Sequence, residues 1–127
     1  MPAISAAFFA FGVVAMMIGM TLGMHMGMSG NFTLMPVHAH LNLLGFVVMA
    51  VYGTFYALTR ETINYRLAWI NFAFSAAGVL VMTPMLALML TSGDTALEPF
   101  VGIGGALAMI GLIAFGVSVF KELFRTR

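Results

Sequence analysis

Three histidines are the residues of this chain best suited to chemistry: His25, His38 and His40. Imidazole is the commonest metal ligand near neutral pH. The three stand on either side of one short polar stretch, and none follows residue 40. His38 and His40 are two residues apart, so on a helix they point about 200° apart. They cannot both bind one metal in a regular helix. They can serve two sites on opposite faces, or one can ligate while the other supports. The methionines gather in the same region. Seven of thirteen fall at 16, 17, 20, 24, 26, 28 and 35, and Met16, Met20, Met24 and Met28 share one helix face. The stretch Gly23-Met24-His25-Met26-Gly27-Met28 offers thioether and imidazole ligands suited to Cu(I). Packing is the other reading of the methionines, because Met fills irregular apolar space. The candidate metal ligands are therefore His40, His38, His25, Met24 and Met28.

These residues need elements to hold them, and the composition says which kind. Of 127 residues, 62% are hydrophobic and 7% charged, with mean hydropathy +1.08. A soluble domain carries about a quarter charged residues, and a disordered chain is polar. No cysteine is present, which excludes a disulfide scaffold and thiolate metal sites. The charges Arg60, Glu61, Arg66, Asp94, Glu98, Lys121, Glu122, Arg125 and Arg127 leave uncharged runs at 1–59, 67–93 and 99–120. A membrane-spanning helix needs roughly 20 apolar residues. The first run holds two spans and the others one each. The cut falls in Ser29–Pro36, rich in Ser, Gly, Asn, Thr and Pro. This predicts an all-α membrane protein, one domain of four transmembrane helices as an up-down bundle or arc. The spans are about 4–28, 37–59, 67–90 and 99–120. Pro36 and Pro99 suit helix starts, whereas Pro84 should kink the third span.

All five basic residues fall on one side of this four-span topology. Excess Lys and Arg mark the cytoplasmic side, so both termini are expected in the cytoplasm and the histidines near the outer face of an inner (cytoplasmic) membrane. The N-terminal stretch lacks a basic n-region and reads as a span, not a signal peptide. Three histidines converging on one membrane level favour ligation, since ionisable groups in a bilayer need the interior or a partner.

Small residues set packing. Ala15, Gly19, Gly23 and Gly27 recur every four residues, a spacing that lets helices approach closely in lipid. It marks either an oligomer seam or contact within the subunit. Gly104, Gly105, Ala108 and Gly111 offer a looser version in span four. Asn42, Thr54, Asn71, Ser75 and Thr83 need partners, because hydrocarbon offers none, and interhelical hydrogen bonds are expected. Tyr52, Tyr56 and Trp69 read as an interfacial aromatic belt. Asp94 and Glu98 read as a solvated cap of span four. Arg60, Glu61 and Arg66 anchor a membrane boundary.

The run Val37-His38-Ala39-His40-Leu41-Asn42-Leu43-Leu44-Gly45-Phe46 resembles part of the haem–copper oxidase superfamily, the catalytic subunit of terminal oxidases and bacterial nitric oxide reductases. His40-Leu41-Asn42-Leu43-Leu44 is similar to the start of that family's second helix, whose histidine ligates the low-spin haem. His38-Ala39-His40 also resembles its tenth helix, where such a pair serves two haems on opposite faces. The likeness covers roughly residues 35–59. It implies a haem b held by His40, with His38, His25 or a neighbouring subunit's histidine as second ligand and Asn42 beside them. The family core holds three arcs of four helices, so this chain resembles one arc. That implies a homo-oligomer, a trimer before a dimer, and not a complete oxidase site in one chain.

The resemblance implies electron transfer or redox and gas sensing. Two alternatives stand beside it: a copper carrier or chaperone using the Met/His stretch, and a structural or assembly subunit of a respiratory complex. Whether the chain is an enzyme stays open, with oxidoreductase chemistry the nearest class. No Gly-x-Ser-x-Gly, phosphate loop or cysteine nucleophile is present. Five scattered basic residues exclude a nucleic-acid partner as an expectation.

Overall fold

The computed structural model describes residues 1–126; Arg127, counted above among the basic residues, lies outside them. Four long helices carry the chain: α1 (Ala3–Ser29), α2 (Met35–Leu58), α3 (Tyr65–Ser92) and α4 (Glu98–Leu123). A short 3₁₀ turn, Thr95–Leu97, leads into α4. Each helix is long and apolar enough to cross a membrane, as the charge-free runs predict. No strand occurs among the described residues. One end of the bundle carries the turns after Ser29 and Ser92, and is here the histidine end. The other carries the two termini and the turn between α2 and α3.

Local sequence explains where the helices stop. Gly30 and Gly93 close α1 and α3 at φ +70°, a conformation that costs other residues a Cβ clash. Pro36 and Pro99 sit in first turns, where no N–H is missed. Asn64 caps α3, accepting from the Leu67 N–H at 3.1 Å. Asp94 caps the 3₁₀ turn, accepting from the Ala96 N–H at 2.9 Å. Pro84 lies inside α3, which continues past it as one helix.

Small residues bring the helices together. A Cβ on Gly78 would lie 2.7 Å from the Ala108 backbone nitrogen, and one on Gly104 would lie 2.6 Å from that of Met82. The backbones of α3 and α4 are thus nearly in contact. A Cβ on Gly45 of α2 would lie 2.7 Å from that of Ala15, while Gly19 and Gly23 receive Asn42 and His38. Most of the small-residue row of α1 is therefore used inside the chain. Gly27 alone of that row faces open space.

Helix α2 is not uniform. Leu41–Val47 forms a π-helical stretch between two α-helical ones. Among its buried residues, Val37, Leu41, Gly45, Met49 and Gly53 form a row at a spacing of four, joined toward the terminal end by Tyr52 and Tyr56. A 3.6-residue helix drifts about 40° per four-residue step, roughly 160° over this row. The wider π turn, with about 4.4 residues per turn, takes most of that drift back. One face then stays against α1 along the whole helix, with α3 meeting it mainly over residues 35–47.

The core runs the length of the bundle, from Val37, Leu41 and Leu86 to Ile4, Phe8 and Tyr56, and its aromatic rings gather toward the terminal end. Phe8 packs against Phe72 at 5.1 Å and Tyr52 at 5.6 Å between ring centroids, and Tyr52 meets Phe115 at 4.4 Å. Tyr52 and Tyr56 are 4% and 0% exposed. They are core residues, not the interfacial belt expected for them, because Gly53 lets α1 close over that face of α2. Trp69 remains 44% exposed. Ser75 Oγ donates to Asn71 Oδ1 at 2.9 Å, and Asn71 Nδ2 donates to the Tyr56 hydroxyl at 3.1 Å. Ser118 gives its hydrogen to the Ala114 carbonyl, so Tyr56 donates to Ser118 at 3.3 Å. Three helices are joined by these bonds. Thr54 and Thr83, expected to bond across helices, instead donate to carbonyls of their own turns, Ala50 and Val79.

The α3–α4 contact yields a test. Gly78→Ala is expected to cost about 1–3 kcal/mol, the usual range for overpacking, when unfolding in detergent is followed by circular dichroism. Gly102→Ala, which meets nothing within 4 Å, should cost nothing measurable.

Candidate functional site

The regular α-helical turn Met35–His40 ends where the π stretch begins, so the angular separation of His38 and His40 holds. His38 turns toward α1. Its ring lies in the hollow over Gly23, where a Cβ would come within 2.6 Å of Cε1. Its Nδ1–H donates to the Gly19 carbonyl at 2.6 Å. Asn42, one turn on, places its amide nitrogen 3.4 Å from Nε2 of the same ring. His38 is thereby held on both nitrogens, one strongly and one weakly, and fastens α2 to α1. The Asn42 carbonyl oxygen is buried against Gly19 and has no hydrogen-bond partner.

His40 is held differently. Its Nδ1–H donates to the Pro36 carbonyl of its own first turn at 2.6 Å. That bond fixes the tautomer and leaves Nε2 as the ring's basic nitrogen. Nε2 has no hydrogen-bond partner among the described residues. A backbone carbonyl on one imidazole nitrogen with the other left free is the usual arrangement for a metal-ligating histidine. His40, Leu44 and Val48 follow one another at a spacing of four, and Leu44 and Val48 line an apolar groove between α2 and α4. His40 lies one turn before Leu44, the first α2 residue to line that groove, and is not itself part of the lining.

His25 is exposed on α1. It borders a cavity of about 380 Å³ with Ser29, Asn31, Thr33 and Thr91, on the side of α1 toward α3. Among the described residues, no three His, Asp or Glu side chains come together to hold a metal. His25, His38 and His40 all lie at the histidine end, but among the described residues they do not gather into one ligand set, since His38 points into the α1–α2 contact while His25 points past it. Met24 and Met28 are 63% and 80% exposed, whereas Met26 between them is 2% exposed. The stretch read as a Cu(I) site is thus spread around α1.

Sequence reasoning missed the Pro36 carbonyl as the partner of His40. The signal was present, since a histidine four residues after a proline in the first helical turn lies over that carbonyl. It also missed that Asn42 belongs with His38. No family model, curated protein or solved structure matches this chain.

The fit of His38 over Gly23 is testable by a double-mutant cycle. Gly23→Ala is expected to destabilise the protein by about 1–3 kcal/mol when His38 is present. In a His38→Ala background most of that cost should vanish, a coupling on the order of 1 kcal/mol. Equal costs in both backgrounds would mean that the ring does not occupy the hollow.

Proposed function

We propose that this chain is a haem-binding integral membrane protein acting in electron transfer or in redox and gas sensing, with His40 as the axial ligand. The observation that carries the reading is the His40 imidazole, tied at Nδ1 to the Pro36 carbonyl with Nε2 free, one turn before the apolar groove begins at Leu44. Imidazole in a bilayer is a functional site by default. The run His40-Leu41-Asn42-Leu43-Leu44, which resembles a haem-ligating helix start of the haem–copper oxidase superfamily, supports the same residue.

Haem b suits the donor set: one neutral imidazole beside an apolar wall. When bound, it would supply one-electron redox chemistry or an open coordination position for a small gas. His40 would hold the iron, and Pro36 would keep the ring in the ligating tautomer. His38 would act as a positioning residue, locking the first turn of α2 onto α1. The second axial ligand has no candidate beside His40 within one chain. A homo-oligomer, a trimer before a dimer, would supply it from a neighbouring copy's exposed His25. The basic residues Arg60, Arg66, Lys121 and Arg125 flank the terminal end, which supports cytoplasmic termini and an inner-membrane location.

Absorption spectra test the proposal. Protein purified from haem-replete cells is expected to show a Soret band that shifts on reduction with dithionite. His40→Ala should lower haem content at least tenfold, and added imidazole should restore part of it. A colourless wild-type preparation, or a His40→Ala spectrum identical to wild type, would contradict the assignment.

A further inference from the structure

The groove between α2 and α4 contains a second feature, well removed from His40. Its volume is about 450 Å³, within the usual range for small-molecule sites. Leu44, Val48, Met109 and Leu112 form its walls and Val79 and Met82 of α3 its floor. No charged side chain lines it. Two polar side chains reach it, Ser75 and Tyr52. Ser75 has already given its hydrogen to Asn71.

Tyr52 has not. The residue is 4% exposed, and its hydroxyl has no hydrogen-bond partner among the described residues. The contrast with Tyr56, one turn on, is direct, since that hydroxyl is bonded to both Asn71 and Ser118. The Tyr52 ring is wedged between Phe8 and Phe115, so it cannot swing away to find a partner. A hydroxyl left unpaired in apolar surroundings is unfavourable until an acceptor reaches it. The groove thus presents one fixed, unsatisfied donor at the end of an otherwise apolar slot.

We propose that this groove binds a lipid-soluble molecule with a flat head carrying a carbonyl acceptor, a quinone-type compound, with the carbonyl on the Tyr52 hydroxyl. The groove mouth is flanked by Val47, Val51, Met109 and Leu112, each about half exposed, so the occupant arrives from hydrocarbon. Tyr52 lies six residues before Leu58, the end of α2, and so about 9 Å inside it. Phospholipid ester carbonyls stay at the interface, above that depth. A mobile lipophile carries its acceptor deeper, and a plain acyl chain would leave the hydroxyl unpaired. Tyr52 is also twelve residues beyond His40, several helical turns away, so this site does not depend on the haem reading.

The test is equilibrium binding of a decyl-tailed benzoquinone to the full chain in phosphatidylcholine nanodiscs, with decylbenzene as the acceptor-free control. Wild type is expected to bind the quinone saturably at one per chain, and decylbenzene at least tenfold more weakly. Tyr52→Phe removes only an unpaired hydroxyl, so it should fold normally and lose at least tenfold in quinone affinity. Gly105→Leu should block the groove, since a Cβ there makes only ordinary contact with Met82 at 3.5 Å. Absent saturable binding to wild type would overturn the proposal. So would equal affinity in Tyr52→Phe or Gly105→Leu, or equal binding of decylbenzene. Absorption spectra of the same samples report separately on haem.

Discussion

One face of α2 must stay against its neighbours for the full width of the bundle, and the rest of the structure depends on that. Val37, Leu41, Gly45, Met49 and Gly53 make up the face, and their four-residue spacing does not match an α-helix. The π stretch Leu41–Val47 reconciles the two. Because it begins just after His40, the histidine turn keeps regular α geometry while the helix below it is rotated to suit the core. π turns often sit at functional sites, and here a mechanical reason is visible: the turn lets one helix serve a tight core at one end and a side-chain site at the other.

The consequence for the site is a division of labour between two histidines that look equivalent in sequence. On one flank of the α2 face, His38 and Asn42 meet the glycines of α1. On the other flank, Leu44 and Val48 line the groove, and His40 lies one turn before them. The same imidazole chemistry becomes a fastening in one case and a free donor nitrogen in the other. What separates them is which carbonyl each ring finds: Gly19 on the neighbouring helix or Pro36 on its own.

Much of the architecture was legible beforehand. Nine charges and the polar stretch Ser29–Pro36 divided the chain into four spans, and the observed helices exceed the expected spans by only a few residues at most ends. The prolines at 36 and 99 began helices as their missing N–H requires. The opposition of His38 and His40 followed from helical geometry alone. Burial was harder to read. Tyr52 and Tyr56 looked interfacial because tyrosine commonly is, yet Gly53 admits α1 close enough to bury both. Asn71 and Ser75 bonded side chains as hydrocarbon demands, whereas Thr54 and Thr83 satisfied themselves on their own turns, a choice that depends on rotamer and not on residue type. The π stretch has no composition signal; it is visible only once the four-residue row is known to be buried. That His38 and His25 take different sides of α1 was not legible, because proximity in sequence says nothing about which side of α1 faces α2.

If the proposed assignment holds, His40, and not His38 or His25, presents the ligating nitrogen. Nitrogen-15 NMR of histidine-labelled apoprotein during titration with ferric haem reads this directly. The His40 ring is expected to start with Nε2 unprotonated and to be the first lost to paramagnetic broadening, while His38 keeps its hydrogen-bonded Nδ1 signal longest. Loss of His38 or His25 before His40, or no change in any of the three, would contradict it.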